Sequence, residues 1–185
     1  MKVIIFTNGE YQDKNFYEAC LEEIKADYLI CADGGANYAR ILNVKPDIII
    51  GDMDSITAET RTFFNQTRFK IYPPQKDETD TELAITHAIK IGADKVTILG
   101  GLGSRMDHSL GNIYLLKRFV DVGIEAEIVN EKNRIQIIGK TTVFNFPIGT
   151  IVSILPIAGD VSGLTISGFE YPIKAGQMTI DKPYG

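Results

Sequence analysis

Residues 48–56 read IIIGDMDSI, three isoleucines set directly against two carboxylates spaced i, i+2. Three Ile in a row describe a strand buried on both faces, the kind found in a parallel sheet with helices on either side. An ionised Asp at the end of such a strand is costly unless something compensates it. Three readings of Asp52 and Asp54 are therefore open: a cation site, a covalent nucleophile with its acid partner, or a polar turn.

The pattern repeats on both sides of this stretch. KVIIF (2–6), YLICA (28–32), FKIYP (69–73), KVTILG (95–100) and EAEIV (125–129) predict further strands. Between them, Phe16, Cys20 and Ile24 recur at helical spacing, as do Ala36, Ala39 and Leu42. Helices are also predicted through Arg61, Phe63 and Phe64 (with Thr57 or Ser55 as N-cap), through Leu83, Ile85, Ala88 and Ile89, and through Leu110, Ile113, Tyr114 and Lys117. This alternation predicts an α/β, Rossmann-like domain with a parallel sheet over residues 1–129.

From residue 130 to 185 the character changes: RIQIIG, TVFNF, IVSIL, LTISGF and QMTI are short, β-rich and separated by turn residues. They predict a smaller all-β domain of sandwich-like type. About five strands are few for a closed β unit, and the sequence stops on the turn residues DKPYG, so further strands are expected beyond it.

Composition narrows the function classes. The 44% apolar and 23% charged residues are those of an ordinary globular chain. A net charge of −5 without a Lys/Arg cluster argues against nucleic acid as a partner. No window reaches the roughly 18 apolar residues of a membrane span. The four apolar residues Val3 to Phe6 are too short a run for a signal peptide. Cys20 and Cys31 fall inside a predicted helix and strand, where they are expected to pack unbridged; the cytoplasm is the expected compartment.

In an open parallel sheet, ligands bind outside the carboxyl ends of the strands. Four predicted strands send their unusual residues there. The second is followed by Asp33, Gly34 and Gly35; the third by Gly51, Asp52, Asp54 and Ser55. The fourth is followed by Gln75, Lys76, Asp77, Glu78, Thr79 and Asp80, the fifth by Gly101, Gly103, Ser104, Arg105, Asp107 and His108. Seven carboxylates gathered at one edge would raise one another's pKa and destabilise the fold. A cation-filled site receiving a polyphosphate resolves this, with Lys76 and Arg105 as fixed positive groups.

Each loop also has a plainer reading. Asp77 and Asp80 suit a helix N-terminus, with Thr79 or Asp80 as its cap. GGLGSRMDH lacks the third glycine of a dinucleotide fingerprint and the Gly-Lys-Ser/Thr of a Walker loop, yet it offers close backbone approach for phosphate oxygens. Tyr38 and Arg40 could reach an adenine or ribose but read first as helix surface, and His87 as a mid-helix residue without a role.

Taken together, CADGGANYA, KPDIIIGDMDSI, PPQKDETDTELAI and ILGGLGSRMDHSLGNIYLL resemble the thiamin pyrophosphokinase family in order and spacing. The resemblance implies transfer of a pyrophosphoryl group from ATP to the hydroxyl of thiamine, and a homodimer with thiamine between one subunit's α/β domain and the other's β domain. It implies Mg²⁺ on Asp52, Asp54 and Asp80, with Asp77 and Gln75 in the same loop. It further implies an ATP cradle from Asp33 and the Gly101–Asp107 loop. In that family the β domain continues into a Ser-Asn-containing segment that helps hold thiamine; this sequence ends before it. Two rivals keep the same scaffold: a haloacid dehalogenase-like phosphohydrolase with Asp52 as nucleophile, and a non-catalytic nucleotide or thiamine binder.

Overall fold

The computed structural model describes residues 1–182. Two compact units meet at Lys140/Thr141. The first contains β1 (Lys2–Phe6), α1 (Lys14–Ile24), β2 (Tyr28–Ala32), α2 (Gly35–Ile41), β3 (Ile48–Gly51) and α3 (Ala58–Phe63). It continues through β4 (Arg68–Ile71), α4 (Asp80–Lys90), β5 (Lys95–Leu99), α5 (Met106–Leu115), α6 (Lys117–Asp121), β6 (Glu125–Val129) and β7 (Arg134–Ile135). The expected α/β class with a mostly parallel sheet is what the chain adopts.

The sheet runs β4-β3-β2-β1-β5-β6-β7. Strands β1 to β6 form five parallel pairs, and only β7 is antiparallel, against β6. Strand order reverses beside β1, so the crevice of an open α/β sheet opens at the carboxyl ends of β1 and β5. Each face has its own core. Val3, Ile5, Ile30, Ile48, Ile50, Val96 and Ile98 pack with Leu83, Ala84, Ile85 and Ala88 of α4 and with Leu116 and Phe119. Ile4, Phe6, Cys31, Ile49 and Leu99 pack instead with Tyr17 and Cys20 of α1 and Ala36 and Ala39 of α2. Ile48, Ile49 and Ile50 are all fully buried, split between these two layers, as a two-faced strand demands.

Local chemistry fixes the helix starts that face the crevice. Thr57 accepts from Thr60 N–H at 3.2 Å and starts α3; Thr79 accepts from Glu82 N–H at 3.2 Å and starts α4. Glu82 does not complete a capping box, since its carboxylate is 2.8 Å from Arg118 of α6. Both cysteines are buried and free, and burial pushes both thiols above their ordinary range, away from reactivity. No helix among the described residues is long and apolar enough to cross a membrane.

His87 has more structure around it than its sequence position suggests. Its Nε2 is buried without a hydrogen-bond partner, and its ring lies 6.1 Å from that of Tyr28. Burial, aided by Lys70, Arg68 and Lys90, pulls its pKa below 6.5. The unfolded chain therefore takes up a proton as pH falls through 6.5, while the folded protein resists it until its lower pKa is reached. Stability is lost across that interval. His87→Gln is expected to lose less melting temperature than the parent between about pH 7.5 and 5.5; equal slopes in a thermal-melt series would refute the assignment.

The second unit is simpler than the five expected strands. Val161–Ile166 (β8) and Ile173–Met178 (β9) form an antiparallel pair, with irregular register around Ser162, Leu164 and Ile166. TVFNF and IVSIL form no named strand, and RIQIIG gives its first two residues to the sheet of the first unit. Met178 is the buried apolar side chain of this unit among the described residues, whereas Val143, Ile148, Ile151, Leu155 and Tyr171 are exposed. A two-stranded ribbon has too little area to enclose a core, which is why no sandwich forms among these residues. The expected ending on DKPYG lies partly outside the described residues, from position 183 onward.

Candidate active site

The acidic residues are placed by the ends of β2, β3 and the loop before α4. Asp33 follows β2 with φ +42°, and its N–H donates to Ile50 O at 2.8 Å, pinning it beside β3. Past β3, Met53 takes φ +68°, turning the chain so that Asp54 N–H donates back to Asp52 Oδ1 at 3.2 Å. Non-glycine residues rarely hold a left-handed backbone, and two of them flanking one cleft mark a strained, built site. Gly51, at φ +150°, leaves the space: a Cβ there would lie 2.9 Å from Asp33 Cβ and 3.0 Å from Asp80 Oδ1.

One oxygen from each of Asp33, Asp52 and Asp80 lies within 4.8 Å of the others. Asp33 is buried, and its Oδ1 has no hydrogen-bond partner; its Oδ2 accepts from Ser55 N–H at 3.1 Å. Burial holds the Asp33 carboxyl above its usual range against the Ser55 hydrogen bonds, and burial likewise raises Asp80 against the Lys76 ammonium. Burial would also raise Asp52, but the Asp54 N–H and Lys76 outweigh it and hold Asp52 low. Lys76 Nζ is 3.4 Å from Asp52 Oδ2 and 3.1 Å from Asp80 Oδ1. An all-oxygen set with an unsatisfied buried carboxylate fits a hard divalent cation.

This cluster differs from the expected set of Asp52, Asp54 and Asp80. Asp54 is exposed and accepts from Ser55 Oγ at 2.8 Å; Asp33 takes its place in the triad.

Beside the triad lies a cleft of about 630 Å³. Asp33, Asp54, Lys76, Thr79, Asp80, Gly101, Gly103, Ser104, Arg105 and His108 line it, so most of the expected residues do converge. Gln75, Asp77 and Asp107 do not line it, and all three are exposed. Gly34 and Gly35 sit beneath it at the start of α2, against Asn8 and Phe6. Thr79 contributes chiefly as the cap of α4. Arg105 is held by Asp107 through a forked contact at 2.6 and 3.3 Å, which keeps that carboxyl at about 2.

Two groups of residues went unread in the sequence. The loop after β1, Thr7 to Glu10, lines the cleft and is joined to the glycine-rich loop after β5. Glu10 N–H donates to Leu102 O at 3.0 Å, and Glu10 Oε1 accepts from Ser104 N–H at 2.8 Å. From α5, Ser109 accepts from Gly103 N–H at 3.1 Å and Asn112 Nδ2 donates to Gly101 O at 2.8 Å. Ser109 and Asn112 stand i, i+3 after the glycines, which is the signal that would have found them. Tyr38 is also not free surface: its ring stacks on Tyr11 at 3.9 Å, while Arg40 contacts Glu59 at 2.9 Å and Thr60 at 3.0 Å.

A family model described as "Thiamin pyrophosphokinase, catalytic domain" matches residues 21–128, the stretch that carries the acidic triad and the glycine-rich loop. The chain belongs to the thiamin pyrophosphokinase family. A second model, "Thiamin pyrophosphokinase, vitamin B1 binding domain", matches residues 134–185. Thiamine pyrophosphokinase of Bacillus subtilis (strain 168) is 33% identical over 155 residues, covering 82% of this chain and 72% of that one. Among solved structures, thiamine pyrophosphokinase from Bacillus subtilis superposes with TM-score 0.82 at 27% identity, over 98% of this chain and 85% of that one. Thiamin pyrophosphokinase from Geobacillus thermodenitrificans gives 0.79 at 27% identity, over 97% and 83%. The resemblance read from the four motifs is thus a family relationship that extends through the β-rich tail.

Proposed function

We infer that this chain is a thiamine diphosphokinase: it uses ATP to convert thiamine to thiamine diphosphate. Membership of the thiamin pyrophosphokinase family over both of its domains carries this reading. The haloacid dehalogenase alternative finds no support, since Asp52 is tied to Asp54 N–H and Lys76 and the family match is to a different chemistry. The same match speaks against a mere binder.

In our reading the first unit binds ATP and the cation, and the second takes part in holding thiamine. Asp33, Asp52 and Asp80 would hold Mg²⁺, with Asp54 at the rim of the cleft. A bound divalent cation would supply neutralisation of phosphate charge. The glycine-rich loop, shaped by Glu10, Ser109 and Asn112, presents close main chain to the phosphates. Arg105 and Lys76 add positive charge, and His108 lines the same cleft.

The thiamine hydroxyl oxygen attacks the β-phosphorus, the new O–P bond forms, and the bridge to the α-phosphorus breaks to release AMP. Asp80, which lines the cleft where Asp77 does not, accepts the hydroxyl proton late, since such transfers rest mainly on positioning and charge. The exposed apolar side chains of the second unit support a homodimer. Free, buried cysteines are compatible with a cytoplasmic enzyme.

Incubation with ATP, Mg²⁺ and thiamine is expected to yield AMP and thiamine diphosphate in equal amounts. ADP in place of AMP, or phosphate without a thiamine product, would overturn the reading.

A further inference from the structure

We propose that Lys76 is an exchangeable counter-ion: its ammonium and the divalent cation compete for the same carboxylates, and cation binding hands Lys76 to the polyphosphate of the nucleotide. The inference rests on the reading of Asp33, Asp52 and Asp80 as a cation site. Lys76 Nζ touches Asp52 at 3.4 Å and Asp80 at 3.1 Å, two of the three convergent carboxylates. Its side chain is only 10% exposed, unusual for a lysine. Asp80 Oδ1 is buried and makes no well-directed hydrogen bond to it, so the contact is a charge pair of loose geometry that a better ligand can displace. Asp33 is the third of the convergent carboxylates, and its Oδ1 is buried without a hydrogen-bond partner. Three carboxylates against one lysine leave a local excess of negative charge that suits a divalent ion.

Lys76 also lines the cleft shared with the glycine-rich loop, so rotation of its four-carbon stem carries Nζ from carboxylate to phosphate. Two other donors of the cleft are paired too: Ser104 N–H is held by Glu10 and Arg105 by Asp107. Those carboxylates lie outside the triad, so their release does not depend on the cation. Among the described residues that line the cleft, Lys76 is the cation paired with the triad and so links cation binding to anion binding.

The test measures Mn²⁺ affinity of the full chain by titration, in the parent, Lys76→Met, Lys76→Arg and Asp52→Asn. Lys76→Met is expected to bind Mn²⁺ at least about tenfold more tightly, Lys76→Arg about as the parent does, and Asp52→Asn more weakly. Metal-free Lys76→Met melts lower than the parent, and Mn²⁺ restores it. For α,β-methylene-ATP, Lys76→Met loses about tenfold in affinity with Mn²⁺ present and less than about threefold without it. Unchanged or weaker Mn²⁺ binding by folded Lys76→Met, beside measurable binding by the parent, overturns the exchange and leaves the cation site standing. No Mn²⁺ binding by the parent overturns the cation site and the exchange together. Lys76→Gln replaces Lys76→Met if circular dichroism shows the latter unfolded.

Discussion

Asp80→Asn and Asp52→Asn are each expected to lower turnover of thiamine at least about a hundredfold while the protein remains folded. The two carboxylates contribute to the same triad and share Lys76, so each change removes negative charge where phosphate charge must be balanced. Folding should survive for a physical reason. Burial holds Asp80 above its usual range, so a neutral amide there relieves an existing penalty. Asp52 is the more delicate of the two, because its carboxylate accepts from Asp54 N–H and is held low by it and Lys76. An amide oxygen can keep the first of these contacts. The double variant should cost little more than either single one, because both act through one cluster. Steady-state kinetics beside a thermal melt checks this; near-normal turnover in both single variants would sink the assignment.

The second large effect is expected at Gly9→Ala. A Cβ at Gly9 would stand 2.0 Å from Gly100 O and 2.5 Å from Leu102 O, both main-chain atoms that cannot swing aside. The loop after β1 must then move off the glycine-rich loop, breaking Glu10 N–H to Leu102 O and loosening Glu10 from Ser104. A loss of about 2–4 kcal/mol in stability is expected. The KM for ATP should rise about tenfold or more, with a smaller change in KM for thiamine. Chemical denaturation and kinetics measure the two separately. An unchanged KM for ATP in a folded variant would show that this loop does not shape the nucleotide cradle.

Much of the α/β unit was legible because its signals are local. Three consecutive isoleucines cannot all face one layer of a strand, so IIIGDMDSI announced helices on both faces, and Ile48, Ile49 and Ile50 do split between two cores. Thr57 as a helix cap was likewise readable from its position. The tail was less legible, because short apolar runs predict strands only where a ladder extends them, and TVFNF and IVSIL form no named strand. Two-residue β7 is too short to leave a period, so the sequence pattern changes near 130 although the first compact unit runs to Lys140.

In the candidate site, sequence order located the loops but not which carboxylates converge. Asp33 joins the triad through the pairing of Ala32 with Ile50 and a left-handed backbone, neither visible in CADGG. Asp54 looks like Asp52's twin in the sequence, yet the turn at Met53 sends it to the surface. Glu10 was missed because a single acid after a strand carries no pattern; only its contact with Ser104 reveals it.

The position of β1 also governs how the protein comes into being. Lys2–Phe6 lies between Tyr28–Cys31 and Lys95–Leu99, so its second neighbour is synthesised long after its first. Until then Val3 to Phe6 offer an unpaired, apolar margin, the kind of surface on which nascent chains self-associate. The glycine-rich loop arrives with that late neighbour. The glycine-rich wall of the cleft and protection from aggregation are therefore acquired in one step, and growth at high temperature or rapid expression should penalise both together.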